Sequence, residues 1–334
     1  AQMSEERYVF NLDDVLLYDL SLPIGGAPSH YIFISAFCCS TLLARLLDRV
    51  PGCLVLREPT ILGQLAMTRF QPRVSGDNTS PLQSDEEWEE EWRTWAALGM
   101  RLLTRTFEPG ETVIIKAADA CNSMLDVILA NGRGPNCSRG SKAVLLSVGL
   151  RTFILSVLKA EDRRKWIRNR AEFWHKTLTL FPVLSGVRIS ELDDAGKAAY
   201  CWLVTGALWD QFRKQTVPQR LLPMDGEEVS DDPRTALAKV ATLFGLPLEG
   251  DAIENILADP VLSHHAKFPG QTYDAARRRG DIADWEIRFG AEADRAMEWA
   301  VAIREKLEAD GIQFSAMADS MAGGEREELM PCDA

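Results

Sequence analysis

The sequence predicts an α/β fold: a three-layer sandwich with a central parallel sheet, a strand-loop-helix, and helical cap segments. Two observations set the class. Short apolar runs recur at "YIFIS" (31–35), "CLVLREP" (53–59), "ETVIIKAADA" (111–120) and "SKAVLLSVGL" (141–150). They are continuous rather than alternating, as in strands covered on both faces. Helical patterns separate them, which is the order of βαβ units and therefore of parallel strands. A chain of 334 residues can bury one large core, so residues 1–315 are expected to form a single domain.

Taken in order, residues 8–20 and 31–35 carry strand-like apolar runs. Residues 41–48 follow as a helix with Leu42, Leu43, Leu46 and Leu47 on one face. The run 53–59 is the second strand, stopped by Pro59. A turn-rich loop spans 75–86, and 86–106 is a helix whose Trp88, Trp92 and Trp95 lie near one side, as core packing requires. The third strand ends at Lys116, and 141–150 is the fourth. Beyond it the chain turns helical through "RTFILSVLKAEDRRKWIRNRAEFWHKT" and again over 190–215, with Ser190 capping the start. "QRLLPMD" (219–225) is a short strand feeding a helix closed by Gly245, and helices follow at 250–258 and 290–309. Cap helices are assigned to about 60–107 and 160–215, and 316–334 is expected to be a disordered tail.

Composition removes several classes. Hydrophobic residues make up 46% and charged residues 26%, and no apolar run is long enough to span a bilayer, so no membrane role is expected. The start, "AQMSEERYVF", lacks a basic flank followed by an apolar stretch, and a cytoplasmic location is expected. Seven cysteines without CxxC spacing fit reduced thiols rather than a disulfide framework, and no metal site is expected. A net charge of -12 argues against nucleic-acid binding, so an anionic ligand needs a local basic pocket. The acidic run "SDEEWEEEW" (84–92) is a solvated helix face.

The stretch "AFCCSTLLARLL" supplies the first candidate site. Main-chain N–H groups at a helix start have no internal partner, and the helix dipole adds positive charge there. Cys38, Cys39, Ser40, Thr41 and Leu42 would present such donors to an anion, the hydroxyls of Ser40 and Thr41 adding two more. The competing reading is a plain Ser-Thr helix cap.

The order of later segments resembles the sulfotransferases that use 3′-phosphoadenosine 5′-phosphosulfate (PAPS), a P-loop-like α/β family, here as a divergent bacterial-type member. "AFCCSTLLARLL" sits where that family has its 5′-phosphosulfate loop. "VIIKAAD" resembles its IIKTH strand, with Lys116 at the lysine position. "SKAVLLSVGLRTFILSVL" resembles the strand and helix that bind the 3′-phosphate, with Ser156 at the serine. "RLLPMDGEEVSDDPRTALAKVATLFGLPL" looks like the strand and helix that end in FLG, and "RRGDIADWEIRF" (278–289) is similar to the RKG segment over the 3′-phosphate. Three positions depart: Phe37 stands where the loop cation is expected, Val148 where the first 3′-phosphate arginine is, and "KAA" where the histidine base would follow the lysine.

The resemblance implies PAPS as cosubstrate and assigns roles position by position. Lys116, at a strand's C-terminal end, would stabilise the leaving group, the alternative being a lysine reaching solvent. Glu58, after the second strand, would serve as base, the alternative being an ion-pair partner of Arg57 or Lys116. Ser156 at a helix start, Arg151, and Arg278, Arg279 and Gly280 would hold the 3′-phosphate, with Lys267 and Tyr273 as an alternative clamp. His264 and His265 are neighbours that do not face one cavity, and are read as surface or core residues. The basic face Arg163, Arg164, Lys165, Arg168 and Arg170 is solvated charge, or a meeting point for an anionic acceptor. The expected reaction is sulfuryl transfer to a hydroxyl or amine of a small-molecule or glycan acceptor. The alternatives are a non-catalytic nucleotide-binding protein on the same fold and a P-loop small-molecule kinase, which lacks its Walker lysine here.

Overall fold

In the computed structural model, residues 29–70, 85–129, 140–177, 180–248, 250–259 and 275–317 are described. The expected strand at 8–20, Lys267, Tyr273, the histidine pair and the tail from 318 onward lie outside them. Strands β1 (Ser29–Ile34), β2 (Cys53–Arg57), β3 (Thr112–Lys116), β4 (Ala143–Ser147) and β5 (Leu221–Asp225) form one sheet in the order β2-β3-β1-β4-β5. Every neighbouring pair is parallel. All residues of the central β1 and of β4 are buried, which is why these runs are apolar without alternation. Among the described residues β5 is an edge strand, which is where Pro223, with no N–H to donate, is tolerated.

The register brings the C-terminal strand ends together. Ile32 and Arg57 both pair with Lys116, Ile34 with Leu146, and Ser147 with Asp225. Main-chain bonds continue the ladder past the strands, from Glu58 N–H to the Lys116 carbonyl at 2.7 Å and from Ser35 N–H to Leu146 at 3.1 Å.

Helices flank the sheet in the predicted three-layer arrangement. They are α1 (Ser40–Leu47), α2 (Thr60–Thr68), α3 (Asp85–Leu103), α4 (Leu125–Ile128), α5 (Leu150–Leu158), α6 (Glu161–Thr177), α7 (Pro182–Ser185), α8 (Asp194–Gln215), α9 (Gly226–Asp231), α10 (Pro233–Phe244), α11 (Gly250–Leu257) and α12 (Ala275–Ala309). The long α8 is apolar around most of its circumference because it lies between α5, α6 and α12. Gly206 on α8 is forced by packing: a Cβ there would stand 2.5 Å from a Phe314 ring carbon. The tryptophan stripe is core, as expected: Trp92 is fully buried and its Nε1 donates to the Leu65 carbonyl at 2.9 Å.

Three boundaries differ from the sequence expectation. α8 starts at Asp194, not near Ser190, because the Asp193 carboxylate accepts from Gly196 N–H at 2.7 Å and caps the helix, leaving Ser190 in a 3₁₀ turn. The last helix begins at Ala275 rather than near 290, so it takes in the "RRGDIADWEIRF" segment. Ser156 is near the end of α5 rather than at its start. Gly245 closes α10 as expected, in the left-handed conformation at φ 72°.

Candidate functional site

The turn between β1 and α1 is built from left-handed residues that are not glycine. Ala36, Phe37 and Cys39 have φ of 68°, 53° and 58°. Each such residue costs about 1–2 kcal/mol, so the turn is held by its surroundings. Residues of mixed hand aim neighbouring N–H groups to one side, the geometry of an anion-binding concavity. Among the described residues, none accepts a main-chain hydrogen bond from the N–H of Ala36, Phe37, Cys38 or Cys39. The α1 helix adds its dipole and has no acidic residue in its first turn.

Two of the expected donors are engaged locally. Leu42 N–H bonds to the Cys39 carbonyl at 2.9 Å, which corrects its assignment as an open donor. The N–H and hydroxyl of Ser40 both meet the Cys38 sulfur, and Ser40 is buried. Among the described residues, the N–H groups without a main-chain acceptor therefore lie one turn earlier, at 36–39, while Thr41 stays half-buried at the helix start. The floor of the turn is Gly226, the first residue after β5. A Cβ there would stand 2.7 Å from the Cys38 carbonyl carbon and nearer still to its oxygen.

Lys116 enters the same crevice. Its side chain is 5% exposed and pairs with the half-exposed Glu58 carboxylate, although the two residues are 58 positions apart. β2 and β3 are sheet neighbours, and Glu58, itself left-handed at φ 50°, turns back toward the β3 end. Burial pushes the Cys38 thiol up to about 12, the Cys39 thiol adds to this, and the Lys116 charge opposes it, so Lys116 acts on the turn itself. Arg57 pairs with Asp48 instead. Behind this pair, Asp119 binds Arg170 of α6 at 2.6 Å. Burial raises the Asp119 carboxyl, with Arg170 opposing and Glu58 adding to the shift.

The residues expected around the 3′-phosphate divide into two groups. Arg278, from the first turn of α12, is 8% exposed, and its Nη2 is buried without a hydrogen-bond partner. Its charge acts on the Cys39 thiol, which burial raises and which Glu227, Asp225 and Asp231 raise further. Ser156 is also buried, and its carbonyl accepts from Arg163 Nη1 at 2.8 Å. Others are engaged elsewhere. Arg151 binds Glu286 and Asp294, fastening α5 to α12. Arg279 points to Asp231 at 2.9 Å and is largely exposed. Gly280 lies inside the helix, and a Cβ there would meet nothing within 4 Å, so no close approach requires a glycine at that position. Val148 is fully buried, and its carbonyl accepts from Trp202 Nε1 at 2.9 Å.

The basic face of α6 is not simply solvated. Arg163 lies over the Phe37 ring at 4.3 Å, Arg170 holds Asp119, and Arg168 grips Asp194 with two bonds of 2.7 Å. Gly226, Asp119 and Lys159 were not read as site residues from the sequence, and Arg163 only as part of a basic face that could meet an anionic acceptor. Of the first three, only Gly226 left a signal there, as a glycine directly after a strand end. Among the described residues, no group of three or more His, Cys, Asp or Glu is placed to hold a metal ion, and no helix is long and apolar enough to cross a membrane.

No protein-family model matches the chain, and no curated protein matches it in sequence. Among solved structures, it is similar to the sulfotransferase domain from the curacin biosynthetic pathway, with 13% identity over 80% of this chain and 99% of that one and a TM-score of 0.45. It is similar to the sulfotransferase domain of a Synechococcus olefin synthase, with 14% identity over 80% and 97% and a TM-score of 0.42. A sulfotransferase from Mycobacterium tuberculosis gives 14% identity over 80% and 79%, with a TM-score of 0.43. These are distant likenesses, and what the site can do rests on this chain's own residues.

Proposed function

We propose that the chain is a sulfotransferase that moves a sulfuryl group from PAPS to a hydroxyl or amine of a small-molecule or glycan acceptor. One observation supports this above the others. A buried arginine with a partnerless N–H group, Arg278, acts by its charge on Cys39 of a turn whose N–H groups at 36–39 have no main-chain acceptor among the described residues. Buried donors of this kind are satisfied in folded proteins, so a phosphate-bearing ligand fits them.

The turn and the start of α1 would hold the 5′-phosphate, and Arg278 with Ser156 the 3′-phosphate. Lys116, beside Cys38, would donate to the oxygen that links sulfur to phosphorus as that bond breaks. Glu58 would take the proton from the acceptor while a new bond forms between the acceptor oxygen or nitrogen and sulfur. Adenosine 3′,5′-bisphosphate then departs with the electron pair of the broken bond. Lys116 holds the Glu58 side chain in place before the step.

Calorimetry with adenosine 3′,5′-bisphosphate against ATP plus magnesium tests the site. Binding of the bisphosphate alone is expected, and preference for ATP would overturn the reading. Sulfate transfer to an acceptor panel then tests the activity. Glu58→Gln should lower turnover by about 10²–10⁴-fold with bisphosphate affinity retained. Unchanged turnover would remove Glu58 as base.

A further inference from the structure

No basic side chain lies between Ser35 and Ala44, so an anion held by the turn must draw its positive charge from elsewhere in the fold. The Phe37 ring shows where. It packs edge-on against Trp166 of α6 at 5.1 Å and beside Phe153 of α5 at 6.0 Å. The Arg163 guanidinium lies over the same ring, 4.3 Å from its centre, and is tied down by the Ser156 carbonyl. Phe37 belongs to the turn itself, so this stacking attaches a cation from α6 to the loop.

Arg163 is part of a cationic group. Lys159, between α5 and α6, lies 3.8 Å from the centre of the Trp285 ring. Burial lowers its ammonium to about 8, with Arg163 and Arg278 pushing the same way and Asp281 and Asp162 opposing. Lys159 is thus within electrostatic reach of both Arg163 of α6 and Arg278 of α12, and Arg278 has a buried N–H group without a partner. Asp281 and Asp162 offset part of the repulsion among these cations, and an anion bound there would offset more.

We propose that Arg163, carried on the Phe37 ring, is the cation for the 5′-phosphate held by the turn, an aromatic loop residue docking an arginine in place of a loop lysine. This rests on the nucleotide reading of the site given above. A guanidinium over a ring keeps its N–H groups at its edge, where they can fork onto phosphate oxygens. Lys159 and Arg278 remain for the other phosphate.

The test uses the full chain, calorimetry and three probes: adenosine 3′,5′-bisphosphate, adenosine 5′-monophosphate and adenosine 3′-monophosphate. Arg163→Ala should weaken the first two by about tenfold or more and leave the third within about twofold, as loss of a charged hydrogen bond predicts. Arg163→Lys should recover only part of the loss. Phe37→Lys in the Arg163→Ala background should restore 5′-phosphate affinity by placing the charge on the loop. Should that double variant fail to fold, Arg163→Gln with its thermal midpoint measured decides the matter. Wild-type affinity of Arg163→Ala for all three probes overturns the inference while leaving the site reading intact. So does a loss confined to the 3′-monophosphate, or an equal loss for all three with a lowered midpoint. No binding of any probe by the wild-type chain sinks both.

Discussion

Replacing Gly226 by alanine probes the floor of the turn directly. The added Cβ would lie 2.7 Å from the Cys38 carbonyl carbon, where carbon atoms prefer about 3.5–4.0 Å. Both partners are backbone, so neither can rotate away, and the loop and the start of α9 must separate by about 1 Å. Overpacking of this kind costs about 1–3 kcal/mol. For a chain of this size that is a fall of about 1–4 °C in thermal midpoint, taking an unfolding entropy of about 2.1 cal/mol/K per residue. The same 1 Å shift displaces the N–H groups of Cys38 and Cys39, and a misplacement of about that size weakens function by up to about 10²-fold. Thermal unfolding and calorimetry with adenosine 3′,5′-bisphosphate measure the two effects. Gly280→Ala is the control, since a Cβ there meets nothing within 4 Å and alanine favours a helix interior. If Gly226→Ala keeps the wild-type midpoint, the close abutment is wrong. If it loses stability but binds the bisphosphate unchanged, the turn is not the phosphate cradle.

Three further outcomes follow from the same geometry. Gly206→Ala should destabilise the chain without touching nucleotide affinity, because Phe314 must leave its place on α8; a higher thermal midpoint would contradict the packing. His30 is buried, and burial lowers it to about 4, with the Lys142 charge helping and a hydrogen bond at Phe244 opposing. Its folded pKa lies below the unfolded value, so it contributes stability above about pH 6.5 that is lost as pH falls through 4, amounting to about 3 kcal/mol. Urea midpoints taken across that window should decline, less steeply in His30→Gln, and parallel declines would clear His30 of the effect. Lys159, at about 8, should take up protons when a phosphate ligand binds near it, so affinity should fall as pH rises past 8. Calorimetry near pH 8 in buffers of different ionisation enthalpy reads that uptake, and its absence would place the ligand away from Lys159.

The fold was legible because its signals are local. Continuous apolar runs marked β1, β3 and β4, and Gly245 marked the end of α10. Boundaries failed where two local signals competed. Ser190 and Asp193 are both good caps, and the choice fell to the carboxylate that reaches Gly196 N–H. The last helix was read from 290, yet α12 starts at Ala275 and runs through Gly280, because one weak helix residue is outweighed by the apolar contacts of a helix that packs on α5 and α8.

The candidate site was legible in part. Lys116 and Glu58 could each be picked out from their place at a strand end, but whether they met depended on which strands were neighbours. Arg163 and Arg170 looked alike on a basic helix face. In the fold one lies on Phe37 and the other holds Asp119.

By itself, then, the sequence determined the layers, the parallel order of the strands along the chain, and the turn at the head of α1, since these follow from periodicity and backbone propensity over a few residues. Only the tertiary structure decided the β2-β3-β1-β4-β5 order, the Lys116–Glu58 pair, the placing of Arg163 on Phe37 and the reach of the Arg278 charge to Cys39. Those contacts join residues tens to more than a hundred positions apart, and they are selected by packing and charge acting across space, which no local pattern encodes.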